Sequence, residues 1–262
     1  MAINKEEIVQ LCNAYQEYGT LREVSKIFDR SPNTVKKYVS QKMVVKTQNI
    51  IKCLYSNNQR LIGVYTGLWM GDGTQYYENR YTIKICSNKD DKHLNDFIQN
   101  IIYMLFRKKT TLIKESLTKR ACIRFWSKFI FNFIYTYVVH EEGKKTYSVK
   151  LKEKIESYNN DFLEGCLLGL ALTDGYLKSR FHFNVTSSNS NLAENMKEIL
   201  IKFGFNPSVY IHNREKYGWK NLYMVNLNIK ESKRLCSFLD EILRKIGYSL
   251  SFQELKYGPG RI

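Results

Sequence analysis

Acidic residues are scarce in this chain. Its 262 residues hold 41 Lys and Arg against 25 Asp and Glu, a formal net charge of +16. A surplus of that size self-repels unless an anionic partner offsets it, and nucleic acid is the usual partner. The first 46 residues hold 8 basic and 5 acidic side chains and the remainder 33 and 20, so the main body carries the excess. Proline is rarer still, at 3 residues, and glycine numbers only 14, which excludes low-complexity linkers. Six scattered cysteines (Cys12, Cys53, Cys86, Cys122, Cys166, Cys236) include no Cys-x-x-Cys pair. That argues against structural zinc and leaves buried, reduced thiols as the expectation. The four histidines, His93, His140, His182 and His212, show no ligand spacing. No signal peptide opens the chain and no apolar run reaches membrane-spanning length. A cytoplasmic, nucleoid-associated or organellar protein with no membrane contact is expected.

What is present begins with a helical unit. Ile8, Val9, Leu11, Cys12 and Tyr15 recur at helical spacing. Thr20 can cap a second short helix carrying Leu21, Val24 and Ile27. The run Ser31-Pro32-Asn33-Thr34-Val35-Lys36-Lys37 then starts a third, with Ser31 as N-cap and Pro32 at the first helical position, where proline is tolerated. Residues 21–39 resemble the helix-turn-helix domains of resolvases and transcription regulators. That resemblance implies a last helix in the major groove and Asn33, Thr34, Lys36 and Lys37 as contacts.

The body carries one segment twice. Tyr65-Thr66-Gly67-Leu68-Trp69-Met70-Gly71-Asp72-Gly73 returns as Leu167-Leu168-Gly169-Leu170-Ala171-Leu172-Thr173-Asp174-Gly175, with the aspartates 102 residues apart. Such a repeat implies two similar half-domains, each delivering one carboxylate to a shared place. Small residues recur at every fourth position: Gly63, Gly67, Gly71 and Gly165, Gly169, Thr173. Positions four apart share a helix face. Glycine inside a helix costs about 1 kcal/mol relative to alanine, so the stripe calls for a compensating close approach of two backbones. The motif helices should therefore pack against each other, with Asp72 and Asp174 side by side at their C-terminal ends. There the helix dipole and mutual repulsion both oppose the negative charges, and a divalent cation would relieve both.

After each motif comes a strictly alternating strand. Tyr81, Ile83 and Ile85 share one face, as do Phe181, Phe183 and Val185; Arg80, Thr82 and Lys84 share the other, as do Arg180, His182 and Asn184. Amphipathic helices are expected at 94–105 and 192–203, strands near 111–114, 121–126, 208–212 and 222–228, and closing helices at 129–138 and 232–246.

These two runs look like the paired signature of the LAGLIDADG homing endonucleases in their single-chain, two-motif form. The resemblance extends from residue 61 to about 250. It implies an α+β fold, a pseudo-twofold αββαββα repeat whose sheets form a saddle in the major groove of double-stranded DNA. With the small all-α helix-turn-helix domain in front, the expected divisions are 1–45 for that domain, 46–60 for a linker, and 61–155 and 156–262 for the half-domains. It further implies that Asp72 and Asp174 bind Mg2+ (or another divalent cation), joined by the main-chain carbonyls of Gly71 and Thr173. The reaction implied is double-strand cleavage at long sites, of the kind that serves intron mobility, by a monomer with internal pseudo-symmetry. Met70 and Leu172 stand where the signature often has an earlier acid. For the family's catalytic lysine at the start of a later strand, Lys119 and Lys220 are the candidates, with Arg120 as an alternative. Gln75 and Lys178, just past the aspartates, are candidates to orient water or touch phosphate. Arg80, Thr82, Lys84, Arg180, His182 and Asn184 are the candidate DNA contacts. A non-cleaving DNA-binding transcription regulator and an RNA maturase are the alternatives that reuse the same fold.

Overall fold

A computed structural model describes residues 7–8, 10–11, 14–15, 21–39, 58–114, 118–178 and 182–258. The chain forms two compact units, residues 1–57 and 58–262. The expected division between half-domains at 155 falls inside the second unit. Arg180 and most of the expected linker lie outside the described residues.

In the first unit, helix α1 (Leu21–Ile27) and helix α2 (residues 32–39) flank a turn in which Asp29 adopts a left-handed φ of 46°. Val24 and Val35 meet Leu11, Ala14 and Val39 in a small core. The expected cap forms: the Thr34 N–H donates to Ser31 Oγ at 3.1 Å, and the two hydroxyls lie 2.8 Å apart. Arg30 is tied to Glu7 at 2.9 Å.

The second unit is built twice over. The first copy runs α3 (Gln59–Asp72), β1 (Gly73–Glu78), β2 (Arg80–Asn88), α4 (Lys92–Phe106), β3 (Thr111–Lys114), β4 (Arg120–Trp126) and α5 (Lys128–Phe133). A connection follows with the short pair β5 (Val138–Val139) and β6 (Lys150–Leu151) around α6 (Lys145–Ser148). The second copy runs α7 (Asn160–Thr173), β7 (Gly175–Lys178), β8 (His182–Ser187), α8 (Ser190–Lys202), β9 (Ser208–His212), β10 (Leu222–Asn226), α9 (Ile229–Lys245) and α10 (Phe252–Tyr257). Each copy makes an antiparallel four-stranded sheet, ordered β1-β2-β4-β3 and β7-β8-β10-β9. The registers correspond: Gly73 pairs with Ile85, which pairs with Ile123, and Gly175 pairs with Val185, which pairs with Val225.

Helices α3 and α7 form the axis. Both are apolar nearly all round, as helices buried on every side must be. The glycine stripe explains how closely they run. A Cβ at Gly63 would overlap the Phe162 carbonyl and one at Gly67 the Cys166 carbonyl; Gly165 and Gly169 face the Arg60 and Val64 carbonyls in the same way. Only glycine permits this backbone-on-backbone crossing. At the N-terminal ends Arg60 bridges to Glu164 at 2.8 Å and to Asp161. Met70 and Leu172, each 1% exposed, pack as apolar residues at the signature positions where acids are absent.

One cysteine expectation is corrected. Cys86 on β2 and Cys122 on β4 are joined by a disulfide, their Cα atoms 4.1 Å apart. They are direct cross-strand partners, a relation that strand register creates and sequence spacing conceals. Cys166 and Cys236 are buried free thiols.

Candidate active site

The α3–α7 crossing delivers its two aspartates to one place. Asp72 ends α3 and Asp174 follows the last residue of α7. A Cβ at Gly71 would meet the Thr173 side chain and lie 3.1 Å from Asp174 Oδ2. Burial, then repulsion from Asp72, pushes the Asp174 carboxyl up to about 6. Asp72 is exposed, yet the protein crowded around it raises its pKa too, by desolvation that outweighs Lys256, Lys145 and Arg120.

Two lysines complete the cluster. Lys145 Nζ on α6 donates to the Gly71 carbonyl at 2.9 Å. Lys256 Nζ on α10 donates to the Thr173 carbonyl at 3.0 Å and also to that of Leu172. Each lysine thus caps the C-terminal end of one motif helix, where cations are favoured. Burial lowers both to about 8 against the pull of the two aspartates. Lys145 also lies 5.0 Å from the ring centroid of the buried Trp69.

The expected pair, Lys119 and Lys220, is not brought to this cluster. Lys119 stands exposed just before β4, where its carbonyl accepts from Lys89 N–H, and it is not among the charges that act on Asp72. Lys220 is exposed too, 3.3 Å from the Tyr147 ring centroid. The lysines that do reach the two aspartates come from segments that return to the axis after the closing helices. Lys145 follows Gly143-Lys144, and Lys256 lies six residues from the C-terminal Ile262. A lysine in the same late position of each half was the available signal.

Gln75 is also corrected. Its partner across β1–β2 is the inward Ile83, and its Nε2 donates to the Phe131 carbonyl at 3.2 Å. It therefore faces the helices and not the sheet face that carries Thr82 and Lys84. Lys178 closes β7 opposite His182.

On the outward face of the first sheet, Arg80 and Arg124 approach the Trp126 ring at 5.6 and 5.3 Å, and Lys84 approaches Tyr76 at 5.1 Å. Thr82 is 4% exposed beneath them. Arg124 Nε is buried without a hydrogen-bond partner. Arg120 lines a cavity of about 370 Å³ with Asp72, Asn88, Asp91 and Lys256. The second sheet differs. Register places Asn184 where Lys84 stands, Asn226 where Arg124 stands and Leu222 where Arg120 stands. Asn184 Nδ2 donates to Asn226 Oδ1 at 2.7 Å, and Thr186 donates to Asn184 Oδ1 at 2.7 Å. His182 is exposed beside them.

Among the described residues no three His, Cys, Asp or Glu side chains cluster as metal ligands. The donors at the crossing are two carboxylates and two main-chain carbonyls, all hard oxygens. That set fits a magnesium-like cation, which takes one or two carboxylates and fills its other positions with water or phosphate. No described helix is long and apolar enough to cross a membrane.

Comparison with known proteins places this geometry. Residues 161–243 match the LAGLIDADG-like domain. No curated protein matches the sequence. Among solved structures, mesophilic variants of the homing endonuclease I-DmoI align over 69% of this chain and 95% of theirs, at 17% identity and a TM-score of 0.51. I-DmoI in complex with DNA and Ca aligns over 70% and 91%, at 18% identity and a TM-score of 0.52. I-DmoI with DNA and Mn aligns over 70% and 97%, at 17% and 0.51. At such identities the likeness is one of fold, and the fold is the pseudo-twofold α+β repeat. Residues 161–243 thus carry a LAGLIDADG-like domain, set within a body that shares the fold of these solved structures.

Proposed function

We propose that this chain is a site-specific DNA endonuclease that makes double-strand cuts at a long target with Mg2+ or another divalent cation. The observation that carries the reading is the crossing itself: two carboxylates with raised pKa values, at two helix ends, beside two half-buried lysines. A structural crossing has no use for four crowded charges with shifted pKa values, whereas a phosphate-cleaving centre does. The DNA and the Ca and Mn of the I-DmoI complexes agree with it.

Asp72 and Asp174 would hold the cation, with the Gly71 and Thr173 carbonyls adjoining. Bound there, it would lower the pKa of water, neutralise phosphate charge and stabilise the leaving oxygen. Lys145 and Lys256, protonated at neutral pH, offset the two carboxylates and present positive charge where phosphate enters. Arg80, Thr82, Lys84 and Arg124 of the first sheet, and Lys178, Arg180, His182 and Asn184 of the second half, contact bases and phosphates. In the N-terminal unit, exposed Asn33, Lys36 and Lys37 on α2 add a separate major-groove contact, which lengthens the site. Thr34 is half-buried and engaged with Ser31, so its share is to fix the start of that helix.

The test is cleavage of a randomised duplex library with Mg2+, comparing the native chain with Asp72→Asn and Asp174→Asn. Cutting by the native chain alone supports the reading. Binding without cutting would make the chain a regulator, and a preference for intron RNA would make it a maturase.

A further inference from the structure

The loop between β9 and β10 departs from the pseudo-symmetry. Its counterpart between β3 and β4 spans residues 115–119 and holds no aromatic, whereas this one spans 213–221 and holds Tyr217 and Trp219. The loop is built and cross-braced. A 3-10 turn covers Glu215–Tyr217, and Gly218 follows in the left-handed region at a φ of 69°. The Arg214 N–H donates to Asn221 Oδ1 at 2.9 Å, Arg214 Nε to the Lys220 carbonyl at 3.0 Å, and Asn221 Nδ2 to Glu215 Oε1 at 3.1 Å.

That bracing holds two large rings in the open. Tyr217 is 59% exposed and Trp219 60%. Cations edge both: Lys216 lies 4.9 Å from the Tyr217 centroid and the Arg214 guanidinium 5.3 Å from that of Trp219. A cavity of about 430 Å³ opens beside Trp219, between Lys220, Ser188 and Tyr223. Lys220 stacks on Tyr147, which shares α6 with Lys145, so the loop adjoins the candidate cleavage centre.

We infer that this loop is a nucleobase-stacking contact, with Trp219 as the platform for a base of the bound DNA and Arg214, Lys216 and Lys220 facing the adjoining phosphates. Burying three cations against the dry, apolar surface of a protein partner would cost their hydration, whereas a polyanion pairs with them, and an exposed indole offers a π-face to any base. The inference rests on the DNA-binding part of the proposed function and not on cleavage.

Tryptophan fluorescence tests it. The chain has three tryptophans; Trp69 is buried, so in a Trp126→Phe protein a DNA-induced change reports on Trp219. The probes are a short random-sequence duplex and the same duplex with one unpaired adenine, in metal-free buffer. Quenching by both, stronger and tighter for the duplex with the unpaired base, is expected. Trp219→Ala should weaken binding about fivefold or more while Trp219→Phe stays near native. Binding seen by anisotropy with no fluorescence change, or unchanged affinity in Trp219→Ala, would overturn the loop contact while leaving the nuclease reading in place. Quenching by an RNA hairpin alone would overturn the assignment to DNA. Absence of any DNA binding by anisotropy would sink both.

Discussion

Lys145 donates to the carbonyl of Gly71, the residue just before Asp72 in the first motif. An ammonium therefore rests on the main-chain oxygen at the very edge of the carboxylate pair, and Lys256 does the same on the second motif. Side chains of the protein itself thus supply cationic charge there. The first expectation follows directly. Lys145→Met and Lys256→Met should each slow cleavage on the order of a hundredfold or more, as removal of one charge-stabilising group does, while leaving DNA affinity within a few-fold. Single-turnover cleavage measured beside a binding isotherm separates the two.

Asp174→Asn removes a charge that the fold holds at a cost. Because the Asp174 carboxyl is pushed up to about 6, the metal-free variant at neutral pH should be more stable than the native chain, by on the order of 2 kcal/mol. It should also stop binding Mn2+. Urea denaturation and Mn2+ titration by electron paramagnetic resonance check both halves. A destabilised variant would show that Asp174 is a structural acid.

Acidity should set the strength of metal binding. A carboxyl with a raised pKa contributes stability that is fully present below the ordinary carboxylate range and is lost as pH rises through about 6. The two lowered lysines contribute stability present above the ordinary lysine range and lost as pH falls through about 8. Between those values Asp174 is ionised and both lysines are protonated. The gain in melting temperature from added Mn2+ should therefore be largest above pH 6 and shrink below it. Affinity should fall by up to about tenfold per pH unit as Asp174 takes a proton. A gain that is flat from pH 5 to pH 7 would exclude Asp174 as a ligand.

The helix crossing tolerates no side chain at Gly67 or Gly169. Gly67→Val or Gly169→Val drives carbons into the Cys166 or Val64 carbonyl, and either should cost about 3 kcal/mol or more. Thermal denaturation reads this out. Gly143→Ala is the control, since that glycine has open space around it and only its φ of 69° to strain.

Salt should discriminate the two sheets. Arg124→Ala or Lys84→Ala removes a cation from the first face and should lower the slope of log affinity against log salt by about 1. Asn184→Ala should leave the slope unchanged and relax base preference instead. Equal slope changes in all three would erase the distinction.

The axis of the body was legible because its physics is written locally. Gly63, Gly67, Gly71 and their partners fall on one face by simple counting, and Asp72 and Asp174 close both runs. Strands at 80–88 and 182–187 announced themselves by alternation. The short strands β1 and β7 did not, since Thr74-Gln75-Tyr76-Tyr77 carries no alternation of its own and becomes a strand by pairing with β2. Pairing also decided Gln75, which turned inward with Ile83, and Cys86, which met Cys122. Lys145 and Lys256 were hidden for a different reason. Each belongs to a helix of six residues or fewer, and only the return of the chain to the axis brings it to Asp72 and Asp174.

That Asn184 stands where Lys84 does, and Asn226 where Arg124 does, has a final consequence. A true dimer of identical halves is obliged to read the same word twice, and its target must be a palindrome. Here the glycine crossing locks the two halves into one register while their outer faces differ in charge and in chemistry. The centre can stay symmetric and fixed as the faces drift apart, so under the proposed function the preferred target is free to be two unlike half-words read from a single polypeptide.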